Sequence, residues 1–419
     1  MIAKRRTAFR RTVAALISAT VVAGTIGGTY LGTMLPAQAA TVCATPGKDG
    51  SPGTITGVYD AYFQPAFGTT AAGSTSIALA AGPTSPDTTG GGASTAITAG
   101  DLLLVIQMQD GSFNSTNGTS YGDGSSGSGY TSLSSAGLYE YVTVTSVSGS
   151  TVNIQGTGSG GGLINTYHEA AATGTSGQET FQVIRVPQYV TATLSSNFTG
   201  AYWDGTTGGV AALDIASTLN LGGANLYVTG DGFAGGGLTV ASKSGTGWSN
   251  SDYVESSLSL GSGQTVPADG SKGEGVMGTP NYEFYYTNFT APNSPTSPTV
   301  VNNGSDGYPG GDQARGAPGN AGGGGTDEDP LANDQNTGGG GGGNGGGGGN
   351  GGYAWTPTYS GSTPEYVQYP YSTGTKTYAS TNFHDIGGRG GAALTPSITR
   401  VFMGGGGGAG ANNNGSNNN

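Results

Sequence analysis

An all-β fold, with an N-terminal β-sandwich or small barrel followed by a glycine-rich β-solenoid-like region, is predicted by three observations. Thr, Ser, Tyr and Val are plentiful while only 9% of residues are charged, which favours strands over disorder. Glycine fills 85 of 419 positions; an interior helical glycine costs roughly 1 kcal/mol relative to alanine, so long helices are disfavoured. Across 206–237, short apolar beats recur at Val210 to Ile215, Leu219 with Leu221, and Leu226 with Val228, each closed by Gly or Asn. That is the rhythm of stacked β-coils, whose strands are too short to be stable without a neighbouring coil.

The first residues belong to export. Lys4, Arg5, Arg6, Arg10 and Arg11 form a positive n-region, Thr12 to Leu35 is mostly apolar or small, and Ala37-Gln38-Ala39 has the small-x-small form of a cleavage site. This predicts a signal peptide over 1–39, cut after Ala39 or Ala40. Glycines at 24, 27, 28 and 32 interrupt the apolar stretch, which argues against a retained membrane anchor. The residues after the paired arginines fit a twin-arginine signal poorly, so general secretion is expected. Processing would leave 8 basic against 25 acidic residues, a net charge of about −17. Such a surface repels nucleic acid and anionic lipid, leaving cations, carbohydrate or other surface polymers as partners. Cys43 is the one cysteine, so no internal disulfide forms.

Residues 40–205 read as the sandwich or barrel domain. Val58 to Phe63, Ser76 to Ala81, Leu102 to Met108, Leu138 to Val147, Thr151 to Ile154 and Phe181 to Val186 are β-branched or aromatic runs separated by Gly, Ser and Asn clusters, a strand spacing typical of such folds. The alternation of Tyr139 to Val147, turned by Ser148-Gly149-Ser150 into Thr151 to Ile154, predicts a hairpin. The unbroken Leu102 to Ile106 predicts a central strand buried on both faces. Between these strands, Asp110 to Ser134 reads as a long polar loop, of the kind that is usually functional or disordered.

The solenoid is expected to begin at 206–240, with 241–303 as an aromatic-containing insertion, since insertions in stacked repeats collect on one face. Residues 304–410 read as glycine-rich solenoid or packed polyglycine. Gly304 to Gly352 holds 23 glycines in 49 residues, some at period three, such as Gly304, Gly307 and Gly310. Three is the period of an extended polyproline-type helix, which has no internal hydrogen bonds. Such helices can pack side by side where glycine leaves no side chain in the way, and their buried backbone groups then need partners in neighbouring segments. A flexible linker is the alternative reading of the same composition. A disordered tail is expected over 411–419, which carries no solenoid cap.

Thr45-Pro46-Gly47-Lys48-Asp49-Gly50, the run from Gly100 to Asp110, and the run from Arg400 to Asn413 resemble segments of large glycine-rich exported bacterial proteins. These are mostly uncharacterised, some of them adhesin-like or gliding-motility-like. The resemblance implies a surface β-solenoid, often followed by further C-terminal modules, and brings no catalytic residues with it.

Candidate chemistry is sparse. His168 and His384 are the two histidines; His384-Asp385 beside Arg389 lacks a nucleophile elbow or a metal-spaced partner and reads as a solvated loop. Asp204, Asp214 and Asp231 lie on or near the proposed coil and supply the carboxylates that a glycan hydrolase or lyase would need. A calcium site is suggested by Asp306 and Asp312, then Asp327, Glu328, Asp329 and Asp334, on glycine-rich turns whose carbonyls are free to join them. Asp110 to Asp123 admits the same calcium reading. Neither the EF-hand spacing nor the repeat-in-toxin nonapeptide accompanies these acids. Trp248, Tyr253, Tyr285, Tyr286 and Trp355 are candidate contacts to sugar rings or protein. The expected function is structural or adhesive, at the bacterial cell surface or outside the cell. It would act without catalysis, on a surface polymer, glycan or another surface protein, with no nucleic acid and no membrane insertion after signal removal. A carbohydrate-active β-helix enzyme is the alternative.

Overall fold

A computed structural model describes residues 44–114, 130–173, 176–236, 270–280, 316–325, 337–352 and 387–410, with the backbone of four further strands. Among these residues there is no α-helix; a single 3-10 turn spans Ser159–Gly161. The strands are β1 (Gly53–Gly57), β2 (Ala61–Phe63), β3 (Gly68–Thr70), β4 (Ser76–Ala78), β5 (Leu102–Gln109), β6 (Tyr139–Ser148), β7 (Thr151–Gln155) and β8 (Tyr167–Glu169). They continue as β9 (Thr180–Val186), β10 (Gln188–Thr199), β11 (Asp214–Asn220), β12 (Leu226–Tyr227), β13 (Glu283–Tyr286), β14 (Pro298–Val301), β15 (Trp355–Ser360) and β16 (Thr363–Gln368).

The six runs singled out in the sequence form one antiparallel sheet in the order β2-β9-β5-β6-β7-β4. The expected sandwich or small barrel takes the form of a curled half-barrel. Its edge strands are joined past their ends by Ala66 N–H to Ala78 O and Ala80 N–H to Gln64 O, each 2.9 Å. The two faces of β5 explain its unbroken apolar sequence. Leu103 and Val105 point into the half-barrel with Phe63, Ile77, Val142, Val152 and Phe181, whereas Leu104, Ile106 and Met108 point out into a second core. A strand buried on both sides has no reason to alternate. The β6–β7 hairpin turns at Gly149 with φ of 58°, a left-handed position that glycine takes without steric cost.

Pro187 separates β9 from β10. It has no N–H to give to a ladder, and the chain changes sheets there. β10 is flanked in parallel by β1 on one side and by β11 and then β12 on the other. The apolar beats expected to open a solenoid are thus coils stacked on β10, over a core of Ile55, Tyr189, Ala192, Leu194 and Phe198.

Two of the three segments singled out together in the sequence meet at a partly buried ion cluster. The Lys48 ammonium donates to Asp101 Oδ1 at 2.7 Å, and Arg185 bridges Asp101, at 3.0 Å, to Asp49. Asp49 also accepts the N–H of Gln188 at 2.8 Å. Opposite charges and directed donors offset the desolvation of these groups, and the cluster fastens the start of the described chain to β9 and β10. The third segment docks through Arg400, whose guanidinium donates to the carbonyls of Ser134 and Ala136.

Among the strands described by backbone alone, β13 with β14 and β15 with β16 form antiparallel two-stranded ladders. Tyr285, Tyr286 and Trp355 lie on β13 and β15, and their side chains are outside the described residues. Trp248, Tyr253, Asp306, Asp312, Asp327, Glu328, Asp329, Asp334 and His384 also lie outside them.

Candidate functional site at the polyglycine bundle

The glycine tracts form neither strands nor loose connections in the described residues. They run as extended segments I (231–236), II (270–276), III (316–325), IV (337–343), V (346–352), VI (387–394) and VII (403–410), bonded to one another through the backbone. In segment VII, Gly405 and Gly408 donate to Gly343 and Gly340 of IV, while Gly406 and Ala409 donate to Glu274 and Ser271 of II. The partner thus repeats every third residue, as an extended three-residue helix requires. The same spacing joins Gly322 and Gly325 to VII, Gly340 and Gly343 to III, Gly348 and Gly351 to VI, and Gly388 and Gly391 to IV, with N···O distances of 2.7 to 2.9 Å.

These bonds define two rows. I, VII, IV and V lie side by side in one, II, III and VI nest against them in the other, and successive segments run in opposite directions. Helices with no internal hydrogen bonds can be buried only if their neighbours accept and donate for them. Glycine is required because the backbones lie too close for a side chain: a Cβ on Gly324 would stand 1.6 Å from Gly270 O, and one on Gly406 1.8 Å from Ala234 O.

One end of the bundle rests on the half-barrel. Phe233, Val276, Met277, Leu394 and Met403 pack there into one core with Leu104, Ile106, Met108, Ile184 and Val186. The alternating directions gather the other ends together. Gly236 bonds Gly407, Gly270 bonds Gly325, and Gly325 bonds Ala409, while Gly338 bonds both Gly352 and Gly388. The chain therefore leaves at 236, 325 and 352 and returns at 270, 337 and 387 on the same side, away from the half-barrel.

The joint between bundle and half-barrel is polar at its centre. Glu274 of segment II is fully buried. Its Oε1 accepts from Trp203 Nε1 at 2.6 Å, Thr279 Oγ1 at 2.7 Å and Gln109 Nε2 at 3.0 Å, and its Oε2 accepts from Ala234 N–H at 2.9 Å. Burial outweighs those four donors and pushes the carboxyl up to about 7. Gln109 accepts in turn from Gln178 Nε2 at 2.6 Å, so the network runs from segment II through β5 to the residues just before β9.

The carboxylates proposed for glycan cleavage take separate local roles. Asp204 is pushed up to about 6, first by burial and then by Asp87, while its Oδ1 accepts from the N–H groups of Thr206 and Thr207. Asp214 pairs with Gln188 at the start of β10, and Asp231 accepts from Thr199 at the end of that strand, 3.1 Å away. Eleven residue steps of about 3.3 Å each separate Gln188 from Thr199 along the strand.

In the sequence His168 stands out only as one of two histidines, with no role attached to it. The fold supplies what spacing could not. His168 on β8 lies 3.1 Å from Asp110 Oδ2, just past β5, and 3.9 Å from Glu179 Oε2, just before β9. No local motif could reveal this trio, since its members belong to β8 and to the segments flanking β5 and β9.

No protein-family model matches the chain, and no curated protein matches it. Two solved structures align with part of it. One is the Gp54 tailspike of Acinetobacter baumannii bacteriophage AP22 in complex with A. baumannii capsular saccharide. It is 17% identical, with a TM-score of 0.16, over 34% of this chain and 18% of that one. The other is the tailspike protein gp49 from Pseudomonas phage LKA1, 18% identical with a TM-score of 0.15 over 36% of this chain and 24% of that one. This chain thus spans less than a quarter of either tailspike, and the likeness is local and distant.

Proposed function

We propose that this chain is an exported structural and adhesive protein of the bacterial surface, in which the polyglycine bundle is a rigid stem mounted on the half-barrel. The observation that carries this reading is the alternation of segments I to VII, which brings 236, 270, 325, 337, 352, 387 and 410 to one end. A lattice joined through its backbone is held by many hydrogen bonds, each contributing about 0.5–1.5 kcal/mol net, which suits a chain in which 34% of residues are hydrophobic. The stretches that start and finish at that end contain Trp248, Tyr253 and Trp355, aromatic residues suited to a glycan or protein partner. Export rests on the basic and apolar character of residues 1–39.

The reading is tested by replacing 237–269 and 353–386, separately and together, with short Gly-Ser connections. Whole-cell and glycan-array binding are then compared with the parent chain. The expected result is loss of at least tenfold in binding with little change in melting temperature. Undiminished binding by the double replacement would overturn it, and release of reducing ends by the parent chain would favour the enzyme alternative.

A further inference from the structure

We propose that Asp110, His168 and Glu179 form a binding site for a divalent first-row transition cation such as zinc, at the seam between the half-barrel and the polyglycine bundle. The donor set is an imidazole nitrogen and two carboxylates, and one candidate atom from each lies within 4.8 Å of the others. Around a tetrahedral ion with bonds of about 2.0–2.1 Å, ligand atoms stand roughly 3.4 Å apart. The 3.1 Å and 3.9 Å separations from His168 Nδ1 bracket that value. Imidazole with carboxylate favours zinc and its neighbours over calcium, which takes six to eight oxygens.

Two further features mark a built site. The ligands are oriented by their surroundings: Asp110 Oδ2 accepts the N–H of Ser135 at 3.0 Å, and Gln107 holds the His168 backbone from both sides, accepting its N–H at 2.9 Å and donating to its carbonyl at 2.7 Å. Outer partners of this kind fix ligand geometry in metal sites. Access is also open, since the side chains of His168 and Glu179 are 30% and 31% exposed while Asp110 is buried at 4%. Three protein ligands leave at least one coordination position for water or another group.

The placement gives such an ion a task. Asp110 N–H donates to Val276 O of the bundle at 2.9 Å. Its neighbour Gln109 bonds Glu274, and Gln178, the neighbour of Glu179, bonds Gln109. An ion held by Asp110, His168 and Glu179 would clamp β8 to the end of β5 and the start of β9, beside the bonds that join them to the bundle.

The test is a zinc titration of the full chain, followed by calorimetry and thermal melting, alongside H168A and the conservative E179Q. The parent chain is expected to bind one equivalent and to melt at a higher temperature with zinc, the gain being reversed by a chelator. H168A and E179Q should each bind at least tenfold more weakly, with far-ultraviolet circular dichroism matching that of the parent. Absence of zinc binding by the parent, or equal binding by parent and both variants, would overturn the site. If H168A proves misfolded, E179Q decides alone, because its side chain is partly exposed and its volume is unchanged.

Discussion

Gly324→Ala is expected to destabilise the protein by more than the 1–3 kcal/mol typical of overpacking, whereas Gly346→Ala should leave stability unchanged or raise it. Both changes add one methyl group to a glycine tract. At 324 the new carbon would stand 1.6 Å from the Gly270 carbonyl oxygen, on a segment that already bonds its neighbours at both adjoining residues, so backbone must move. At 346 nothing lies within 4 Å. There the main effect is a less flexible unfolded chain, worth about 0.4–1 kcal/mol in favour of folding. Gly388→Ala, with its Cβ 1.8 Å from Gly323 O, should behave like the change at 324. Chemical denaturation of the three variants checks the contrast; similar effects at 324 and 346 would mean that the backbones are not packed as described.

Glu274 carries the second large effect. Glu274→Ala removes the acceptor shared by Trp203, Thr279, Gln109 and the Ala234 N–H, leaving buried donors unmatched at about 1–3 kcal/mol each. A loss of at least 3 kcal/mol is expected. The wild-type residue also sets a pH dependence. Its carboxyl is raised from an ordinary 4.5 to about 7 in the folded protein, so the folded state holds a proton that the unfolded state releases. The resulting stabilisation is complete below about 4.5, falls as pH rises through the interval, and is gone above about 7, a span on the order of 3 kcal/mol. Asp204, raised to about 6, adds to the fall in the same direction. Melting temperature measured from pH 4.5 to 8 should therefore decline for the parent chain and decline less for Glu274→Gln, which cannot ionise. Glu274→Gln should itself be less stable than the parent, since an amide nitrogen would replace an oxygen that accepts an N–H.

The sequence revealed the half-barrel well because local pattern and burial agree there. All six predicted runs became the six strands of one sheet, and the Tyr139 to Ile154 hairpin turned at Gly149 as its spacing required. Strand β10 was not picked out, although it organises the parallel sheet: Ser195, Ser196 and Asn197 interrupt its apolar pattern where the strand is exposed. Period three in the glycines pointed to packed extended helices, but composition alone could not separate that lattice from a linker. The difference lies in which distant segment each N–H reaches, as in the bonds from Gly322 to Gly406 and from Gly405 to Gly343. The Asp110, His168 and Glu179 trio was hidden for the same reason, as was the role of Glu274. No local rule announces that an acid in a glycine tract will be met by Trp203, which lies 71 positions earlier.

Among the described residues, the glycine tracts are a lattice of hydrogen-bonded extended helices. Amide hydrogen exchange, resolved by residue with isotope-labelled protein, tests it most directly. The N–H groups of Gly322, Gly340, Gly391, Gly406 and Gly408, each bonded to a neighbouring segment, should exchange only on global or near-global opening. Gly345, in the turn between segments IV and V, should exchange freely. Exchange of all six at the rate of an unstructured peptide would contradict the claim.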